Sequence, residues 1–179
     1  SLYEPGAKKR WSMPKEEDII GCKIAAIDPF FLEETQATAE LCVKYNKSYV
    51  TIDSKHDSYL HQHCAVNVVS KECTESDGYK DKSIEEIYEL LVASTDGLVI
   101  ITSGENDMIY GRKGQLMKRM KPFSVDVKST LGAGDTFKAG CVYGLLHGME
   151  DDELVRFASA CSAIAISRFP LPLNPPTLL

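Results

Sequence analysis

The residues with the clearest chemical content are Gly132-Ala133-Gly134-Asp135-Thr136-Phe137, a glycine-flanked turn running into a helical pattern. Backbone N–H groups at a helix start point outward without intrahelical partners and carry the positive end of the helix dipole. Small residues there let an anion approach the backbone closely. A carboxylate just past the second glycine, Asp135, has two uses. One is to cap the helix, which aspartate commonly does. The other is to take the proton of a hydroxyl brought up to the cradled anion. An anion cradle beside a base is the equipment of phosphoryl transfer. The whole Gly-Ala-Gly-Asp-Thr-Phe string favours the base over the cap.

The remaining chemistry-bearing side chains carry less. His56, His61, His63 and Cys64 form the one metal-like group, and they lack the i, i+4 or C-x-x-C spacing of a zinc site. Solvated histidines on a surface helix or loop are the better reading, and no metal-ligating residues are assigned. His147, beside Gly148, reads as a partner of a helix C-terminus. Six cysteines occur, none in a C-x-x-C pair and most in apolar stretches, which points to reduced, buried thiols in a cytoplasmic protein. A net charge of −6 and no basic stripe argue against a nucleic-acid partner. Lys8-Lys9-Arg10 reads as a solvated end. No apolar run is long enough to span a membrane, and no signal peptide opens the sequence.

These groups need a scaffold, and 179 residues suffice for one domain, residues 1–179, with a real core. Short β-branched runs alternate with helical patterns. Strands are expected at 23–27, 49–52, 65–69, 98–102 and 123–127, with a hairpin over 108–117. Helices are expected at 32–45, 83–92, 135–147 and from 151 or 152 to 167. Ser83 with Glu86 forms a capping box, and the last helix is apolar almost all round and should be buried. Such alternation predicts an α/β fold with a mainly parallel central sheet. Ligands of these sheets bind at the carboxyl ends of the strands, where Asp53, Ser70, Thr102 and the Gly132 turn all fall.

Thr130-Leu131-Gly132-Ala133-Gly134-Asp135-Thr136-Phe137, with Ala139-Gly140 behind it, resembles the C-terminal signature D-T-x-G-A-G-D-x-F of the ribokinase-like sugar kinases, also called PfkB carbohydrate kinases. Ile101-Thr102-Ser103-Gly104-Glu105 looks like that family's T-x-G-x-x-G segment, and Thr51-Ile52-Asp53 like its strand ending in Asp. Val68-Val69-Ser70-Lys71-Glu72 sits where the family has a strand and N-x-x-E. Residues 157–168 look like the small-residue helix under the adenine, and Tyr3-Glu4-Pro5-Gly6-Ala7 like the end of the lid. The resemblance implies a ribokinase-like α/β fold with helices on both faces of the sheet, its N-terminal part and lid missing. Both ends of the sequence look cut, and an incomplete chain is expected.

It further implies ATP and Mg2+ as cofactors and a sugar or sugar-like alcohol as acceptor. Asp135 would be the base for the sugar hydroxyl, and Gly132, Ala133 and Gly134 would offer N–H groups to the transferring phosphoryl. Thr102, Gly104, Ser70 and Ser159 would contact the nucleotide, with ordinary turn chemistry and close helix packing as the plainer uses of these residues. Arg168 reads as a helix C-terminal charge rather than a phosphate contact. A homodimer stays open, since family dimers often form through the lid. Departures from the pattern are Ser129 for its leading acid, Asp107 for the last glycine of T-x-G-x-x-G, Ser70 for its Asn and Cys73 for its Glu. Ser129 puts activation by a monovalent cation in doubt. These departures motivate a second reading, a non-catalytic nucleotide- or phosphate-binding relative or fragment. A third is an assembly scaffold using an exposed sheet edge.

Overall fold

The computed structural model describes residues 12–168, 170 and 175–177. The basic run 8–10 and the lid-like segment 3–7 lie outside the described residues. In chain order the elements are α1 (Glu16–Gly21), β1 (Ile24–Ile27), α2 (Glu33–Lys44), β2 (Ser48–Ile52), α3 (Tyr59–Gln62) and β3 (Val66–Val69). There follow α4 (Lys71–Thr74), α5 (Ile84–Ala93), β4 (Leu98–Ser103), β5 (Asn106–Gly111), β6 (Lys118–Met120), α6 (Ala133–Leu146) and α7 (Asp151–Ile166). The strands form one sheet in which spatial order equals chain order. β1 to β4 are parallel, and β5 and β6 are antiparallel to their neighbours.

Parallel crossovers are nearly always right-handed. Four parallel strands laid down in one direction therefore put their crossover helices on one face, and the other face needs helices from later in the chain. Side chains alternate accordingly. Tyr49, Val69, Val99, Ile101 and Ile109 pack against α2, α3 and α5, with Ala39, Leu60, Ile87, Tyr88 and Leu91. Val50, Ile52, Val66, Val68, Leu98, Ile100 and Met108 pack against α6 and α7, with Phe137, Cys141, Leu154, Val155 and Ala158. Burial of both faces explains why Leu98-Val99-Ile100-Ile101 is apolar without interruption.

Glycines set the approach of α6 to α7. A Cβ at Gly140 would stand 2.7 Å from Ala158 Cα, and one at Gly144 would stand 2.8 Å from Leu154 Cγ. Two glycines four residues apart thus leave a groove for α7. The first turn of α7 is also fastened to the sheet. Arg112 holds Asp151 with two 2.8 Å bonds, and Lys118 reaches Asp152 at 2.7 Å.

Three expectations need correction. The second hairpin strand lies at 118–120 instead of 115–117, because Arg112, anchored on Asp151, starts a longer loop. Residues 123–127 form no strand. β6 is the sheet edge, Pro122 offers no N–H, and Phe123 instead lies 5.7 Å from the Arg156 guanidinium. α7 is not buried all round: Leu154, Val155, Ala158, Ser159, Ala163 and Ala165 are buried, whereas Phe157, Ile164 and Ile166 are half-buried.

His61 is also unlike the solvated histidine expected, being fully buried. With the proton on Nε2 it donates to Leu91 O at 2.9 Å, and Nδ1 accepts from Asn67 Nδ2 at 2.8 Å. Burial pushes its pKa below the ordinary 6.5, and His56 adds to this against the opposing bond to Leu91. Below about pH 6.5 the unfolded chain takes up a proton that the folded chain refuses, so stability falls as pH drops through that window. Urea midpoints between about pH 7.5 and 5.5 should fall more steeply for wild type than for His61→Gln. Equal slopes would count against this assignment.

Candidate active site

The parallel strands deliver a row of polar residues at their carboxyl ends. Asp28 follows β1, Asp53 follows β2, Ser70 follows β3, and Thr102 is the last residue but one of β4. Asp53 has φ of 50°, in the left-handed region that aspartate tolerates better than most residues. This turn aims its carboxylate along the strand ends, and Oδ1 accepts from Ser70 N at 2.7 Å. The Ser70 hydroxyl caps α4 by accepting from Cys73 N at 3.2 Å, and Thr102 Oγ1 donates to Val69 O at 3.4 Å. The ends of β2, β3 and β4 are thus stitched together through Asp53, Ser70 and Thr102.

Asp53→Ala loses both the acceptor and the residue type suited to that backbone, so a loss of about 2 kcal/mol or more is expected. Asp53→Asn keeps both features in part and should cost less than half of that. Denaturant midpoints test the order, and an Ala variant as stable as the Asn variant would contradict it.

The glycine turn sits beside these strand ends. Gly132 caps α6 with φ of 81°, a conformation open to glycine. Its carbonyl accepts from Thr136 N at 2.9 Å and Thr136 Oγ1 at 2.8 Å. α7 fastens the turn from below: Lys128 N and Ser129 N donate to Ile166 O, and Ser162 Oγ donates to Ala133 O at 3.1 Å. A Cβ at Gly134 would stand 3.0 Å from Ile52 Cδ1, so the start of α6 lies against the last residue of β2. Of the three residues expected to offer N–H groups, Ala133 already donates to Thr130 O at 3.1 Å. Among the described residues the amides of Gly132, Gly134 and Asp135 have no acceptor.

The Asp135 side chain stands 76% exposed at the lip of this turn. Lys138, one turn further along α6 and only 8% exposed, lies 3.7 Å from the Asp135 carboxylate and pairs closely with Asp28. Neither Lys138 nor Asp28 was singled out from the sequence. The available signal was a lysine three residues before Cys141, on the stripe of α6 that otherwise carries Phe137, Cys141 and Gly144. Gly104, with φ of 63°, forms the two-residue turn between β4 and β5, and Ser159 is buried in α7.

Among the described residues, shallow cavities lie beside the strand ends. One of about 430 Å³ is lined by Lys71, Ser103, Asp107 and Arg119. One of about 330 Å³ is lined by Asp53, Lys55 and Leu32, and one of about 270 Å³ by Asp28, Phe31 and Thr35. Among the described residues no three His, Cys, Asp or Glu side chains converge as a metal site, and no helix is long and apolar enough to cross a membrane. All six thiols are free. Burial pushes Cys42 and Cys73 up to about 11 and Cys64 to about 12, so these three stay protonated at neutral pH.

This arrangement has relatives. The ribokinase of Thermotoga maritima superposes with a TM-score of 0.77 at 18% identity, covering 92% of this chain and 57% of that one. Arabidopsis thaliana ribokinase, solved with ribose and ATP, gives 0.75 at 17% identity over 89% of this chain and 55% of that one. At such identities the likeness is one of fold. In sequence, 1-phosphofructokinase of Vibrio cholerae is 37% identical over 70 residues, which are 39% of this chain and 22% of that protein. The 5-dehydro-2-deoxygluconokinase of Shouchella clausii is 33% identical over 95 residues, 52% of this chain and 29% of that protein. The present chain therefore spans little more than half of its solved relatives, and its matches cover less of the curated ones. The family model of the pfkB carbohydrate kinases matches residues 28–175, from the acid at the end of β1 past the end of α7, and the chain belongs to that family.

Proposed function

We propose that this chain supplies the phosphoryl-transfer part of an ATP-dependent kinase acting on a hydroxyl of a sugar or sugar-like alcohol. The observation that carries the reading is the Gly132 turn, with acceptor-free amides at Gly132, Gly134 and Asp135, a carboxylate at its lip, and a row of strand ends beside it. Asp135 takes the acceptor's hydroxyl proton as the oxygen attacks the γ-phosphorus. The bond from that phosphorus to the β,γ-bridging oxygen breaks, and ADP leaves with the electron pair. Negative charge on the equatorial oxygens is met by the amides and the N-terminal end of α6. Thr102, Gly104 and Ser70 form the nucleotide side, whereas Ser159, buried in α7, serves close helix packing instead.

Mg2+ would neutralise charge on the β- and γ-phosphates. Such an ion binds largely through nucleotide oxygens and water, which suits a site where no three protein ligands converge among the described residues. The acceptor class draws support from the names 1-phosphofructokinase, 5-dehydro-2-deoxygluconokinase and ribokinase. Six free thiols suit a reducing compartment, and we assign the protein to the cytoplasm.

Ser129, in place of the family's leading acid, favours the second reading of a nucleotide-binding relative without turnover. Incubation of the full-length polypeptide with γ-labelled ATP, Mg2+ and a panel of sugars and sugar phosphates separates the two. Label on an acceptor is expected. Bound nucleotide with no labelled acceptor would leave the second reading.

A further inference from the structure

Lys138 is the sole buried lysine, arginine or carboxylate among the described residues. Burying an ammonium is costly unless it is paired. The pairing here has a clear geometric origin. Side chains of a helix lean toward its N-terminus, so a lysine in the second turn of α6 sends its Nζ back beneath the first turn. There it meets two carboxylates. Asp28, 110 residues away at the end of β1, is its close partner, and Asp135 lies 3.7 Å away on the same helix. Asp28 is one-third exposed and Lys138 8%, so this pair is screened from water on most sides. The pair fixes the ammonium to the sheet rather than letting it follow its own helix.

Asp135 has the opposite character. Its side chain is 76% exposed, and Lys138 is the ionic partner recorded for it among the described residues. A carboxylate on an open first turn can occupy several rotamers, and only some of them face the strand ends. A cation held in place by Asp28 favours the rotamer that leans toward β1. Because Lys138 is already matched by two carboxylates, its charge is not left over for an anionic ligand.

We propose that Lys138, anchored by Asp28, is the positioning residue for Asp135, holding the base against the acceptor side of the site. This rests on the kinase reading above. It adds a three-member chain, Asp28–Lys138–Asp135, that ties the end of β1 to the reacting end of α6.

The test uses the full-length enzyme with the acceptor that wild type phosphorylates. Lys138→Met should lower kcat about a hundredfold, the scale of a displaced reacting group, with KM for ATP unchanged. Lys138→Arg, which retains the charge, should recover part of the loss. Lys138→Met leaves Asp28 without its counter-charge and is expected to be less stable, so the Asp28→Asn/Lys138→Met double variant provides the control. Removing both charges should restore the thermal midpoint while kcat stays low, with Asp28→Asn alone giving that residue's own share. A double variant that regains wild-type kcat together with the thermal midpoint would overturn the inference, since Lys138 would then be structural only. Absence of transfer by wild type itself would overturn the kinase reading instead.

Discussion

Asp135→Asn is expected to lower kcat by about a thousandfold, within the range supplied by a positioned general base and equivalent to about 4 kcal/mol of barrier. The substitution is well suited to separating the two uses of this residue. Asparagine has nearly the same shape and serves a helix N-terminus about as well as aspartate. If Asp135 only supports the start of α6, the change should be almost silent in every assay. If it takes the acceptor proton, transfer collapses while the fold and nucleotide binding persist. The carboxylate is 76% exposed, so its replacement opens no cavity, and the loss of a charge favourable to the helix dipole costs at most about 1 kcal/mol. Steady-state kinetics and a urea titration on the same preparation give both readouts. Wild-type turnover in the variant would remove Asp135 from the mechanism.

Gly140→Leu is expected to destabilise the protein by about 3 kcal/mol or more, the upper part of the range for overpacked interiors. Any side chain at this position places Cβ 2.7 Å from Ala158 Cα and 3.1 Å from Ala158 Cβ. The first of these neighbours is backbone, so no rotamer change relieves the clash and α7 must move as a whole. Removing a glycine from a helix interior would otherwise gain about 1 kcal/mol, which is too little to offset this. A loss of this size is a large share of a typical stability of about 5–15 kcal/mol. Gly21→Ala is the matched control, since nothing lies within 4 Å of a Cβ there. Displacing α7 also disturbs the bonds from Ile166 O and Ser162 to the glycine turn, so activity should fall together with stability. An unchanged urea midpoint for Gly140→Leu would mean that the two helices are further apart than described.

Much of this architecture is legible in the sequence because local chemistry and global placement agree. Ser83 and Glu86 make the expected capping box, each side chain bonded to the other's backbone N–H. The unbroken apolar run at 98–101 becomes a strand covered on both faces. Asp53, Ser70 and Thr102 fall at the strand ends, where their order along the chain put them. What stayed hidden depends on partners far away in sequence. His61 resembles any polar loop residue until Leu91 and Asn67 close around it. Lys138 looks like a solvated lysine until Asp28 arrives from β1. Residues 123–127 have strand-like composition, but strand formation needs a neighbour, and the sheet ends at β6. Local pattern carries the elements, while the electrostatics of the site come from contacts that only the folded chain makes.

The sequential strand order has a consequence for biosynthesis. Within this chain β1 is released before β6, so each of these strands after the first finds its pairing partner already made and this part of the sheet can grow by short-range steps. Among the described residues, the helices that cover the face of Val50, Ile52, Val66, Val68, Leu98 and Ile100 are α6 and α7, the last two elements. Within this chain that apolar surface therefore waits for α6 and α7, which follow all six strands. Nascent chains stalled before residue 133 should be clients of cellular holding factors, and the glycine-led helix proposed to cradle an anion is among those that finally shield them.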